Sequence, residues 1–140
     1  MRKERNLRMT RQRQSILEEL RKANNHPSAD ELFGRVRKQM PRISLGTVYR
    51  NLEILSELGE IQTIQMAGNL KRYDGVPENH YHIRCLNCDR LIDAPVEVNH
   101  SLENAVQVHT DFRILGHQVE FTGICPDCRR RTPGAFPDNA

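Results

Sequence analysis

The segment Ser44-Leu45-Gly46-Thr47-Val48-Tyr49-Arg50-Asn51-Leu52-Glu53-Ile54-Leu55-Ser56-Glu57-Leu58-Gly59 decides the fold of the first half of this chain. Ser44 can cap the amides of a first helical turn, and Gly59 suits the left-handed residue that closes a last one, so the spacing predicts a helix over Leu45–Leu58. Leu45, Val48, Tyr49, Leu52 and Leu55 share one face of it. Gly46, Thr47 and Arg50 share the other, near the N-terminal end. Upstream, Thr10 is the expected cap of a helix over Arg11–Ala23, with Ile16, Leu17 and Leu20 on one face. Asn24-Asn25-His26-Pro27 ends it. Ser28-Ala29-Asp30-Glu31 is a capping box opening a second helix to about Met40, with Leu32, Phe33 and Val36 inward and Pro41 as the stop. Downstream, Glu60–Gln65 and Leu70–Tyr73 flank Ala67-Gly68-Asn69 and predict a β-hairpin.

Three helices followed by a hairpin is the order of a winged helix-turn-helix, whose third helix lies in the major groove. Arg50 is the foremost candidate for base contact, because a guanidinium reads guanine bidentately, and Thr47 and Tyr49 accompany it. Arg8, Arg11 and Arg13 suit phosphate or minor-groove contact. Charge agrees: residues 1–75 carry 15 Lys/Arg against 9 Asp/Glu, and residues 76–140 carry 6 against 9. A basic half joined to an acidic half rich in Cys and His points to a nucleic-acid-binding domain tethered to a second unit. The chain has 140 residues, no Trp and few aromatics, so its core must be aliphatic. No apolar region follows Met1-Arg2-Lys3-Glu4-Arg5 and no run of about 18 apolar residues occurs, so a cytoplasmic protein without signal peptide or membrane span is expected.

The second half is organised by two clips, Cys85-Leu86-Asn87-Cys88 and Cys125-Pro126-Asp127-Cys128, which hold all four cysteines of the chain. Each puts two thiolates on one turn, and four thiolates make a closed tetrahedral site, hence a structural rather than a catalytic Zn²⁺. Disulfides would need an oxidising compartment, for which the sequence offers no sign. The long gap between the clips must contain secondary structure: strands over His82–Leu86, Arg90–Ala94, Phe112–Leu115 and Gln118–Ile124, and a helix from Val96 to about His109. The expected architecture is therefore α+β: a winged-helix DNA-binding domain over 1–75, a hinge over 76–80, a small α/β dimerisation and metal-binding domain over 81–131, and a flexible tail over 132–140.

Histidines and carboxylates gather around the hinge. His80-Tyr81-His82 in an extended segment puts two imidazoles on one face. Asp74 precedes the hinge and Asp93 follows the first clip. Imidazole with carboxylate suits Fe²⁺, Mn²⁺ or Zn²⁺. His26, alone in a loop, is by itself an ordinary surface histidine. An enzyme reading would require an open zinc and a general base such as His-Glu-x-x-His, and no such motif occurs. A zinc-ribbon interaction module without DNA binding is the other competing class.

Several segments together resemble the ferric uptake regulator superfamily of metal-dependent dimeric repressors. They are Arg8-Met9-Thr10-Arg11-Gln12-Arg13, His26-Pro27-Ser28-Ala29-Asp30-Glu31-Leu32, Gly46-Thr47-Val48-Tyr49-Arg50-Asn51-Leu52, Arg72-Tyr73-Asp74 and His80-Tyr81-His82-Ile83-Arg84-Cys85-Leu86-Asn87-Cys88. The resemblance implies a structural Zn²⁺ on Cys85, Cys88, Cys125 and Cys128. It also implies a regulatory Fe²⁺ or Mn²⁺ on His26, Asp74, His80, His82 and Asp93, a homodimer, and a palindromic double-stranded operator as partner. Aspartate at both 74 and 93 is similar to the peroxide-sensing members, in which His26 and His80 match the oxidised histidines and H₂O₂ is the signal. The general iron sensors usually carry Glu at these two positions. Arg50 is what those iron sensors carry. Asn79 and Tyr81 replace ligands of a third site found in iron sensors, while His100 and His117 stand where the rest of that site would lie.

Overall fold

The computed structural model describes residues 10–23 and 25–136. Arg8 therefore lies outside the described residues, as do the last four residues of the expected tail. The chain divides into two compact units, Met1–Pro77 and Glu78–Ala140.

The first unit contains α1 (Arg11–Lys22), α2 (Ala29–Val36), α3 (Leu45–Glu57), β1 (Gln62–Gln65) and β2 (Lys71–Asp74). All three helices begin as their caps dictate. Thr10 accepts from the Arg13 amide at 3.1 Å, Ser28 from Glu31 at 3.2 Å, and Ser44 from Thr47 at 3.1 Å. Gly59 takes the left-handed conformation that closes α3, with φ of 73°. Ile16, Leu17 and Leu20 from α1 meet Leu32 and Val36 from α2, with Val48, Leu52 and Leu55 from α3, in one aliphatic core that Ile61 and Tyr73 complete. β1 and β2 pair antiparallel, with Thr63 opposite Tyr73.

α2 ends at Val36, short of the expected Met40. The amides of Lys38 and Gln39 reach back three residues, to Arg35 and Val36, so the chain tightens out of the helix. Pro41 disfavours helical geometry at Met40, which favours this early exit. On α3, Tyr49 is not inward as the periodicity suggested but 41% exposed, and Asn51 takes a buried place between Val48 and Leu55.

The second unit contains β3 (His82–Cys85), β4 (Leu91–Asp93), α4 (Leu102–Gln107), β5 (Glu120–Gly123) and α5 (Pro126–Arg131). The sheet order is β4-β3-β5. β3 runs antiparallel to β4 and parallel to β5, with Cys85 beside Gly123. Two expectations fail here. The helix foreseen over 96–109 is only Leu102–Gln107. The Asn99 carboxamide accepts from the amide and the hydroxyl of Ser101 in a local turn, which competes with helix, and the β-branched Val96 and Val98 add little helical preference. The strand foreseen over Phe112–Leu115 is absent among the described residues. The Gln107 side chain instead donates to the carbonyls of Thr110 and Phe112 and accepts from the amide of Ile114, taking backbone groups a ladder would need. α5 was not foreseen. Cys125 is its N-cap and Pro126 occupies its first turn, where a missing N–H is harmless.

Candidate metal centres and nucleic-acid surface

Cys85 closes β3 and Cys88 follows one turn later, where the Asp89 amide returns to the Cys85 carbonyl at 3.0 Å and Asp89 adopts φ of 62°. Cys125 and Cys128 open α5. Parallel pairing of β3 with β5 delivers both clips to the same end of the sheet. All four thiols are free of disulfides. Sγ of Cys85 lies 3.9 Å from Cys128 and Sγ of Cys88 lies 3.8 Å from Cys125. A tetrahedron with Zn–S bonds of about 2.3 Å has edges of roughly 3.8 Å. Backbone amides point at the sulfurs: Cys125 N–H to Cys85 Sγ at 3.3 Å, and Cys128 N–H to Cys125 Sγ at 3.4 Å. Burial raises the Cys85 thiol, but hydrogen bonds from the backbone of Cys125, Cys88 and Asn87 outweigh it and bring it down to about 6. For Cys128 an Asn87 hydrogen bond works downward. The neighbouring thiols, Cys125 first, together with burial outweigh that effect and push it up to about 11. A divalent cation binding here would displace the protons these thiols keep. The donor set is all-thiolate, closed and partly buried, as a structural Zn²⁺ requires.

The five expected regulatory ligands appear as two donor sets, one in each unit. In the first, His26 and Asp74 are both buried, with Nδ1 of His26 3.5 Å from Oδ2 of Asp74. His26 has φ of 44°, an uncommon conformation for a residue other than glycine. Three bonds hold its surroundings: Arg72 donates to the His26 carbonyl at 3.2 Å, Tyr73 N–H to the Pro27 carbonyl at 3.0 Å, and Val76 N–H to Oδ1 of Asp74 at 2.9 Å. In the second unit, His82 on β3 is the register partner of Asp93 on β4. Oδ1 of Asp93 lies 3.2 Å from Nε2 of His80 and 3.6 Å from Nε2 of His82, and the two imidazole rings are 4.5 Å apart. The His80 Nδ1 sits 2.7 Å from the Glu78 carbonyl, which orients the ring toward the carboxylate. Each set is a mixed imidazole–carboxylate grouping of borderline hardness.

His117 is committed elsewhere. Its Nε2 is 2.6 Å from the Tyr81 hydroxyl and its Nδ1 is 2.5 Å from a Glu103 carboxylate oxygen. Both ring nitrogens are thus used within the protein, and His100 is near enough for its charge to act on Glu103. The Tyr81 hydroxyl also accepts from Asn99 N–H at 2.9 Å. The sequence reading missed Glu103, because an acidic residue on an exposed helix carries no signal of a distant partner.

On α3, Arg50 and Tyr49 are exposed and Thr47 is half-buried, with Tyr49 donating toward Asp30 at 3.4 Å. Arg11 is exposed at the start of α1. Arg13 is not: it is 7% exposed, and its Nε donates to Oδ1 of Asn51 at 3.2 Å. Among the described residues no helix is long and apolar enough to cross a membrane.

A winged helix followed by a unit with a thiolate cluster and imidazole–carboxylate donors defines a metal-binding, DNA-binding regulator. Comparison with known proteins agrees. The model of the ferric uptake regulator family matches residues 4–122. The chain is 33% identical over 123 residues to a peroxide-responsive repressor PerR of Staphylococcus aureus strain Mu50, covering 88% of this chain and 83% of that protein. Among solved structures, a Campylobacter jejuni peroxide stress regulator is 31% identical with a TM-score of 0.66, covering 84% of this chain and 88% of that one. The Helicobacter pylori ferric uptake regulator, at 24% identity, shares the fold with a TM-score of 0.73 over 88% of this chain and 83% of that one. The chain belongs to the ferric uptake regulator family. It is a metal-responsive transcriptional regulator and not an enzyme.

Proposed function

We propose that this regulator is a peroxide-stress repressor. It holds a palindromic operator as a homodimer in the cytoplasm while Fe²⁺ or Mn²⁺ is bound, and releases it when Fe²⁺ meets H₂O₂. The observation that carries the reading is the aspartate at both carboxylate positions: Asp74 beside His26, and Asp93 beside His80 and His82. The 33% identity to a peroxide-responsive repressor supports it. His26, Asp74, His80, His82 and Asp93 are the residues proposed to bind the regulatory ion. That ion would favour the DNA-competent arrangement of the chain and so act as a ligand of that state. Bound Fe²⁺ supplies the electron chemistry that activates H₂O₂. One peroxide oxygen is added to a ring carbon of His26 or His80 and the other leaves as water. The oxidised imidazole is a poorer donor, the ion is lost, and with it the preference for the DNA-competent state. Mn²⁺ would repress without this response.

Thr47, Tyr49 and Arg50 would face base edges, with Arg11 and Arg8 on the phosphates. The homodimer is supported by the apolar surface of the second unit, where Val106, Val108, Phe112 and Leu115 are all exposed.

The test is anaerobic. Protein loaded with Fe²⁺ or with Mn²⁺ receives stoichiometric H₂O₂; added oxygen is mapped by peptide mass spectrometry and DNA binding is followed in parallel. Oxygen on His26 or His80 in the Fe²⁺ form alone, with loss of binding, is the expected result. Unmodified histidines with retained binding would favour the second reading, a general iron-responsive repressor, which Arg50 supports.

A further inference from the structure

Arg13 was expected, with Arg8 and Arg11, in phosphate or minor-groove contact. Its position says otherwise. The guanidinium is in the interior of the first unit, and Nε donates to Oδ1 of Asn51, itself 6% exposed on α3. The other end of that carboxamide is also engaged: Asn51 Nδ2 donates to the Thr47 carbonyl at 2.9 Å. Thr47 is in turn tied to Ser44, amide to hydroxyl at 3.1 Å and hydroxyl to hydroxyl at 2.8 Å. A continuous polar chain thus runs from α1 through Asn51 into the first turn of α3. It ends at the residues that present Thr47, Tyr49 and Arg50.

We infer that Arg13 is a positioning residue for the recognition helix: it sets α3 against α1 through Asn51 and does not itself contact DNA. Apolar packing of Val48, Leu52 and Leu55 fixes how deeply α3 sits but is tolerant of small slides along the helix axis, since dispersion contacts are non-directional. A buried hydrogen-bonded pair is directional, and leaving either partner unsatisfied is costly, so the pair selects one axial setting. Asn51 is suited to this role because an amide has both an acceptor for Arg13 and a donor for the Thr47 carbonyl. The Arg13 amide is itself bonded to the Thr10 hydroxyl, so the α1 end of the chain is anchored as well. The consequence concerns sequence discrimination, because sequence is read at base edges by the residues α3 presents, whereas phosphate contacts carry no sequence information directly.

This inference rests on the DNA-binding reading above, and the experiment separates the two. Full-length, Mn²⁺-loaded wild type is used to select duplexes from a randomised pool. Its affinity for the selected duplex and for an unselected duplex is then measured over a range of salt concentrations. Arg13→Lys keeps the charge but cannot reproduce the Nε donor. The expected result is roughly tenfold weaker binding of the selected duplex, the order of one lost base contact, with unselected binding and the salt slope unchanged. Arg11→Gln is the comparison: it should weaken both duplexes together and reduce the salt slope by about one. If Arg13→Gln behaved as Arg11→Gln does, or if Arg13→Lys bound both duplexes as wild type does, the inference would be overturned. Asn51→Ala provides a second route. Its loss of discrimination should not add to that of Arg13→Lys, whereas full additivity would show that the two do not act as one unit. A wild type that selects no sequence would overturn the DNA-binding reading, and this inference with it.

Discussion

Gly75 follows Asp74, and a β-carbon on it would stand 3.0 Å from the Cγ of Arg21 and 3.1 Å from the Arg21 Cα and amide nitrogen. Two of those three atoms are helix backbone, which cannot rotate away. Gly75→Ala should therefore destabilise the first unit by roughly 1–3 kcal/mol through overpacking, read as a lowered thermal midpoint. Gly34, inside α2 with nothing within 4 Å of its added β-carbon, is the opposite case. Gly34→Ala should leave stability unchanged or raise it by up to about 1 kcal/mol. Glu103 supplies a residue-scale pH prediction. The His117 hydrogen bond comes first among the causes that hold its carboxyl below the usual glutamate value. A carboxyl whose folded value is depressed contributes stability above its unfolded value, and that contribution is lost as pH falls through the folded one. The thermal midpoint of Glu103→Gln should thus lie below wild type at neutral pH and converge with it in acid. A gap of constant size across that range would contradict this role.

α3 shows how two faces of one element divide their work. Leu52 is fully buried, so Leu52→Ala should destabilise the protein by about 2–5 kcal/mol, measurable by chemical denaturation. Tyr49→Ala, on the exposed face, should leave the denaturation midpoint nearly unchanged and weaken operator binding. Helix starts were legible in the sequence because a cap is a local bargain between one side chain and an amide three residues on, as Thr10, Ser28 and Ser44 show. The thiolate cluster was legible for a similar reason, since two residues between cysteines suffice to define a clip. What was not legible depended on particular side chains reaching distant or competing backbone. Nothing local says that Arg13 turns inward toward a residue 38 positions away. Likewise, nothing in the pattern of Phe112–Leu115 says that Gln107 will take its backbone groups. The His and Asp donors were recognisable as residue types, but only the fold shows His82 and Asp93 as strand partners.

The two units are built on different physical grounds. The first has a continuous aliphatic core drawn from three helices and the hairpin. In the second, the buried hydrophobic residues among those described are Tyr81, Cys85, Leu91 and Cys128, two of which are zinc-type ligands. So small an interior gives little hydrophobic driving force, and metal binding energy becomes folding energy. Removing zinc with a chelator should abolish the strand signal of the second unit and leave the helical signal of the first largely intact, as hydrogen exchange resolved by residue would show. The same scarcity explains why Phe112 and Leu115 remain 77% and 83% exposed in a single chain. Leu115→Glu should shift the sedimentation profile toward monomer with the zinc content unchanged.

The parallel pairing of β3 with β5 has a consequence in time as well as in space. A hairpin assembles from neighbours, but these two strands meet only after the intervening chain has closed on itself, and contacts so far apart in sequence form slowly. During synthesis the first thiol pair is exposed to the cell while its counterparts, some 37 residues later, are still being made. A lone pair offers a metal half a coordination sphere, so capture at that stage is reversible and unselective. Only closure of the sheet completes the tetrahedron. For this chain, closing the four-thiolate site and completing the second unit are therefore coupled, and a shortage of a thiolate-binding metal at that moment should leave the second unit unfinished.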